Sequence, residues 1–166
     1  IADHRPKTLV NRSGYQLDGV LADDYLNLAK LLVGSEGTLA LVTEATVTID
    51  PLPAHRGCAL LMFDSLEKAA HAALAIAPRG LSADDLMDRR HLNLARETDV
   101  RYELLIPGES EAMLLVEQHA QTRRELDAKI DEVTDRAVYQ TGLAAAAHVA
   151  EDEEDFQLFW GLAQRF

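Results

Sequence analysis

Cys58-Ala59-Leu60-Leu61-Met62-Phe63-Asp64-Ser65-Leu66-Glu67 is the stretch from which the architecture follows. Six apolar residues in a row have the length of a strand rather than a helix. Asp64 then stands three residues before Glu67, a capping-box arrangement that opens a helix. Leu66, Ala69, Ala70, Ala73, Leu74 and Ala77 follow at helical spacing, until Pro78 and Gly80 close the pattern.

The same strand–helix rhythm continues downstream. Ala83 to Met87 reads as a short strand, and Asp88 caps a helix through Arg96 with Leu92 and Ala95 inward. Residues 97–110 are polar, contain Pro107-Gly108 and read as a loop. Ala112 to Val116 is a strand. Gln121 to Gln140 is the clearest helix, with Leu126, Ile130, Val133 and Ala137 on one side. Ala144 to Ala150 is a strand, and Asp152 opens a last helix with Phe156, Phe159, Trp160 and Ala163 on one face. The order fits the split βαβ pattern of a ferredoxin-like sheet. The expected fold is α+β: a ferredoxin-like antiparallel sheet with helices on one face, the opposite face being free to bind.

Upstream, the reading changes at Pro51-Leu52-Pro53, where two prolines remove ladder donors and favour extended chain. Thr8 to Asn11 is extended, and Arg12-Ser13-Gly14 is a turn. Asp24 to Leu32 has helical spacing, broken by Gly34-Ser35-Glu36-Gly37. Thr38 to Ile49 alternates, with Leu39, Leu41, Val47 and Ile49 on one face, and reads as a long strand. Its free edge is expected to pair with a second copy, making a homo-oligomer.

Composition narrows the function. The 166 residues carry 16 Lys and Arg against 28 Asp and Glu, a formal net charge of −12, of which residues 51–166 hold −9 (12 basic, 21 acidic). No nucleic-acid partner is expected, because phosphate binding needs clustered cations. One cysteine, Cys58, excludes an intramolecular disulfide within these residues and reads as inert core.

Gly34-Ser35-Glu36-Gly37-Thr38 is the sharpest local motif. Its glycines let backbone amides approach a ligand, and Glu36 could accept a hydrogen bond from a cofactor. The same residues also suit a helix C-cap and a turn into a strand. The order helix then strand is not the dinucleotide fingerprint, and no Gly-Lys-Ser/Thr follows for a Walker A loop. Tyr15, after Gly14, could pack on a planar ligand or simply half-bury itself in a turn. His119 and His148 each end an expected strand and could be neighbours in the sheet, a metal or substrate pair. Arg89 and Arg90 put two cations at a helix start, or a solvated face. Glu151 to Asp155 suits the positive end of a helix dipole. No nucleophile elbow occurs.

Taken together, three segments resemble a known family. They are Asn11-Arg12-Ser13-Gly14-Tyr15-Gln16-Leu17, then Leu31 to Thr46 with Gly34-Ser35-Glu36-Gly37-Thr38-Leu39-Ala40 at its centre, then Pro51-Leu52-Pro53. The chain resembles the FAD-linked oxidases of the vanillyl-alcohol oxidase type, in the branch of the glycolate oxidase flavin subunit and D-lactate or D-2-hydroxyglutarate dehydrogenases. The resemblance implies that residues 1–53 are the C-terminal remnant of an FAD-binding domain and residues 54–166 the first part of a C-terminal cap domain. It implies FAD contacts from Gly34, Ser35, Glu36, Gly37 and Thr38, mainly through backbone, with Leu41 and Val42 near the adenosine and Gly14 and Tyr15 near the flavin. No catalytic or metal residue is implied.

Two departures stand out: Ala40 replaces a glycine, and Asp18 to Asn27 is longer than the simple pattern. The longer segment resembles larger flavin dehydrogenases with a fused iron–sulfur part. The expected chemistry of the parent is oxidation of a D-2-hydroxy acid. The family's pyrophosphate loop and its His-Gly-Asp-Gly-Asn segment do not occur in these residues, so the chain reads as an internal fragment, inactive and weak toward FAD by itself. A cytoplasmic location, or one peripheral to the inner face of a membrane, goes with this reading. The competing reading is a non-enzymatic ferredoxin-like binding or assembly module.

Overall fold

The computed structural model describes residues 14–21 and 24–165. The expected extended stretch Thr8–Asn11, and Arg12 and Ser13 of the expected turn, lie outside them. The chain forms two compact units, Ile1–Asp50 and Pro51–Phe166.

In the second unit the elements run β1 (His55–Phe63), α2 (Leu66–Ile76), β2 (Ala83–Asp88), α3 (Arg89–Thr98), α4 (Val100–Leu105), β3 (Ala112–Ala120), α5 (Arg123–Asp135), β4 (Ala146–Val149) and α6 (Glu153–Arg165); α1 (Leu28–Leu32) belongs to the first unit. The sheet has the order β2-β3-β1-β4. Every pairing is antiparallel, with Leu60 opposite Leu115 on β3 and His148 on β4, and Leu86 opposite Leu114. This is the ferredoxin-like arrangement expected from the order of elements.

Each helix starts where a side chain can satisfy an orphan amide. Ser65 caps α2 by accepting from the Lys68 N–H at 3.2 Å, while Asp64, expected to cap, instead pairs with the Lys68 ammonium at 2.6 Å. Asp88 caps α3 through the His91 N–H at 2.9 Å, and Thr122 caps α5 through the Glu125 N–H at 3.2 Å. Helix α2 ends in a tight turn, Ala77–Arg79, closed by Gly80 at φ 68°. Helix α5 runs on into one π-helical turn, Arg136–Gln140.

The two crossover helices, α2 and α5, lie on one face of the sheet, against Leu61, Phe63, Leu114 and Val116. The opposite face, expected to be free, is covered. Cys58, Leu60, Met62, Met87, Met113 and Leu115 pack there with Leu92 and Ala95 of α3, Tyr102 of α4, and Phe156, Phe159 and Leu162 of α6. The physical reason is the lack of alternation in Cys58–Phe63: a strand apolar at every position exposes one greasy face unless both are buried. Gly57, near the start of β1, lets α5 approach closely, since a β-carbon there would sit 3.2 Å from the Leu126 side chain.

Two further expectations fail. The segment 97–110 is not all loop, because α4 forms within it. Asp99 caps that helix through the Arg101 N–H at 2.9 Å, and Tyr102, only 1% exposed, donates to the Leu158 carbonyl at 3.1 Å. In the first unit, Thr38 to Ile49 is irregular, with bends at Thr38, Leu39 and Thr43, and is not a strand. Leu41 is 92% exposed and Ile49 83%. Alternation makes a strand only where a neighbour takes the ladder bonds and covers the apolar face, and no described residue does so. The edge on which pairing with a second copy was expected is therefore absent. The expected helix Asp24 to Leu32 shrinks to α1, because Asn27 is its cap and the preceding residues close a turn through the Asn27 N–H to Val20 carbonyl bond at 2.7 Å.

Truncating Tyr102 tests the covered face. Tyr102→Ala is expected to lower unfolding free energy by about 3–5 kcal/mol, as for other buried aromatics, and Tyr102→Phe by about 1 kcal/mol. Urea denaturation measures both; a Tyr102→Ala loss below about 0.5 kcal/mol would place that residue on the surface instead.

Candidate functional site

The loop that follows α1 is built from left-handed backbone. Gly34 has φ 80°, Glu36 φ 52° and Gly37 φ 76°. Helix α1 ends as the Ser35 N–H donates to the Leu32 carbonyl at 3.1 Å. The chain then turns tightly, the Thr38 N–H donating to the Ser35 carbonyl at 3.0 Å. Positive φ at Glu36 and Gly37 makes this a type I′ turn. A β-carbon at Gly34 or Gly37 would meet nothing within 4 Å, so these glycines are set by conformation and leave the backbone open to approach.

Tyr15 joins this loop. Its phenolic oxygen lies 2.8 Å from the Thr38 hydroxyl, which in turn lies 2.7 Å from the Ser35 carbonyl. Of the nine residues singled out in the sequence, the structure thus gathers Tyr15, Ser35, Glu36, Gly37 and Thr38, with Gly14 and Gly34 flanking them. Leu41 and Val42 sit on the irregular segment beyond the turn, largely exposed, and are not held against it by any hydrogen bond among the described residues. Sequence spacing carried no sign of the Tyr15–Thr38 bond, which spans 23 positions.

The residues present fit part of a flavin nucleotide site. The N–H groups of Glu36 and Gly37 have no partner among the described residues, Ser35 is buried, and the Glu36 carboxylate is exposed. The turn therefore offers two donors and one acceptor on an open surface, the chemistry that a polar ring or ribose edge requires.

In the second unit the sequence candidates resolve into structural roles. His119 and His148 are not neighbours, because β3 and β4 flank β1 on opposite sides: His119 is opposite Arg56, and His148 is opposite Leu60. His119 Nε2 instead lies 2.7 Å from Glu117 Oε1. No group of three metal-ligating side chains occurs among the described residues. An open recess of about 990 Å³ lies at the carboxyl ends of β1 and β2 and includes Arg89 and Arg90. Arg89 is neutralised by Glu111 at 2.6 Å, and Asp64, Asp88 and Glu97 share the lining, so the recess carries no excess positive charge.

The acidic run serves α6. Asp152 accepts from the Asp155 N–H at 3.0 Å, and Glu153 pairs with Arg56 at 3.3 Å. Arg56 also stacks 4.5 Å above the Phe156 ring, a cation–π contact that ties α6 to β1. Burial, aided by the nearby carboxylates of Glu117 and Asp155, pushes the Cys58 thiol from its ordinary 9.0 up to about 12. Burial likewise raises the Asp84 carboxyl, with Asp85 adding to it.

Along the chain, the left-handed Gly-Ser-Glu-Gly-Thr turn is followed by a four-stranded antiparallel ferredoxin-like sheet. The chain belongs to the family described as FAD linked oxidases, C-terminal domain, whose pattern matches residues 52–166. It is 38% identical over 100 residues to a D-2-hydroxyglutarate dehydrogenase of Pantoea ananatis, covering 58% of this chain and 10% of that protein. It is 30% identical over 138 residues to the mitochondrial D-lactate dehydrogenase [cytochrome] 1 of Saccharomyces cerevisiae, covering 81% of this chain and 22% of that one. Glycolate oxidase subunit GlcD of Bacillus subtilis is 29% identical over 157 residues, 89% of this chain and 31% of its own length. The chain thus spans between a tenth and under a third of these relatives. No helix among the described residues is long and apolar enough to cross a membrane.

A thiol at about 12 is protonated and unreactive at neutral pH. A disulfide reagent at pH 8 is expected to leave native Cys58 unlabelled and to titrate one thiol after denaturation. Rapid stoichiometric labelling of the folded chain would contradict the burial. Because the folded value lies above the unfolded one, this group's support of the fold is complete below about pH 9 and is lost as pH rises toward 12.

Proposed function

We propose that these residues serve a flavin-dependent dehydrogenase that oxidises a D-2-hydroxy acid. The observation that carries the reading is the left-handed turn at Gly34–Thr38, with two N–H groups that have no partner among the described residues and an exposed glutamate, ahead of the family-matched segment in the chain. FAD, when bound, supplies the acceptor for the hydride that leaves the substrate's α-carbon. The chain's own part is to bind and orient. Gly34, Ser35, Glu36, Gly37 and Thr38 hold the cofactor, chiefly through backbone donors and the Glu36 carboxylate. Gly14 and Tyr15 flank the same loop, and Leu41 and Val42 offer apolar contact beyond the turn.

The boundary between the cofactor-binding part, 1–53, and the cap part, 54–166, belongs to this proposal. So does an iron–sulfur partner or fused domain as the electron acceptor; the long Asp18–Asn27 segment and the small share of the Pantoea relative that the match covers support it. The alternative, a non-enzymatic ferredoxin-like binding module, accounts for the sheet but leaves the strained turn without a purpose.

These 166 residues contain no Gly-rich pyrophosphate segment, so only weak FAD affinity is expected from them alone. Titration followed by flavin fluorescence should saturate no tighter than about 10 μM, with Gly37→Val weakening it at least about tenfold by forbidding the positive φ. No saturation up to about 1 mM would sink the cofactor reading and leave the binding module standing.

A further inference from the structure

We propose that Tyr15 is a positioning residue whose phenolic O–H latches the Gly34–Thr38 turn in its left-handed form, rather than a platform stacked on a planar ligand. The purpose of the latch rests on the cofactor reading above; its geometry does not.

Proton accounting fixes the direction of the latch. The Thr38 hydroxyl has one hydrogen, and it is donated to the Ser35 carbonyl at 2.7 Å. The contact at 2.8 Å between Tyr15 and Thr38 must then be donated by the tyrosine. The Ser35 carbonyl also accepts the Thr38 N–H at 3.0 Å, so both its lone pairs are used. A chain of hydrogen bonds therefore runs from Tyr15 through Thr38 into the one carbonyl that closes the turn.

The turn needs such support. Among the described residues Glu36 is the one non-glycine with positive φ, at 52°. The first central position of a type I′ turn favours Gly, Asn or Asp, whose backbones tolerate that region; a glutamate there is strained. Helix α1 holds the entry to the loop through the Leu32 carbonyl, but it is only five residues long and buries none of them. Tyr15 supplies the tertiary tie at the exit. The strained residue it holds is an exposed one whose N–H has no partner among the described residues, so the tie keeps these groups in place before any ligand arrives.

The test needs no flavin, so its failure is separable from failure of the cofactor reading. Glu36 is itself a cleavage point for a glutamate-specific protease, and cleavage of a loop tracks how often it opens. Tyr15→Phe keeps the ring and removes the donor; Thr38→Val removes both hydroxyl functions; Thr38→Ser keeps both. In the 166-residue chain, Tyr15→Phe and Thr38→Val should each speed cleavage after Glu36 by about threefold to tenfold. The double variant should be no faster than the worse single, because the two act on one chain of bonds. Thr38→Ser should cut at the native rate, and so should the exposed Glu109 site in every variant. Native-rate cleavage of Tyr15→Phe at Glu36, or multiplied effects in the double variant, would overturn the latch.

Discussion

Strand β1 is paired on both edges and buried on both faces, and the rest of the second unit is arranged around that fact. Its backbone bonds to β3 over nine positions and to β4 over four. Its side chains alternate between two cores: Leu60 and Met62 enter the one closed by α3, α4 and α6, Leu61 and Phe63 the one closed by α2 and α5. Neither core exists without the strand between them. Apolar burial of this kind supplies about 25 cal/mol per Å², and Leu60, Leu61, Met62 and Phe63 are each at or below 1% exposure, so the strand concentrates the driving force. The raised Cys58 thiol is a local consequence of the same dryness.

The Gly34–Thr38 turn obeys different physics. It is an exposed structure held by a few hydrogen bonds, with one buried residue, Ser35, and a strained glutamate at its tip. Such a site is shaped by backbone conformation, and its stability is local rather than shared with a core.

The fold was legible to the extent that hydrophobic runs and caps carry it. Strand β1, the helices opened by Asp88 and Thr122, and the order of elements all follow from local pattern. The misreadings have a common cause, which is that local pattern does not report partners. Six unbroken apolar residues at Cys58–Phe63 signal burial on both faces, whereas the ferredoxin-like pattern by itself implies helices on one. The clean alternation at Leu39–Ile49 signals a half-buried strand, yet no neighbour among the described residues pairs with it. Helix α4 is hard to read because Tyr102 is its one buried residue and its anchor is the distant Leu158 carbonyl. For the site, the glycines and Glu36 stood out by spacing, whereas the tie from Tyr15 to Thr38 depends on a chain reversal that no motif encodes.

Hydrogen–deuterium exchange resolved by segment tests the central claim most directly, that a sheet built on β1 is preceded in the chain by an irregular stretch with no strand partner among the described residues. The account predicts that amides of Cys58–Phe63 and Met113–Val116 exchange only through global unfolding, while those of Leu41–Ile49 exchange within about a factor of ten of unstructured chain. Protection of Leu41–Ile49 comparable to that of β1, or fast exchange in β1 itself, would contradict it.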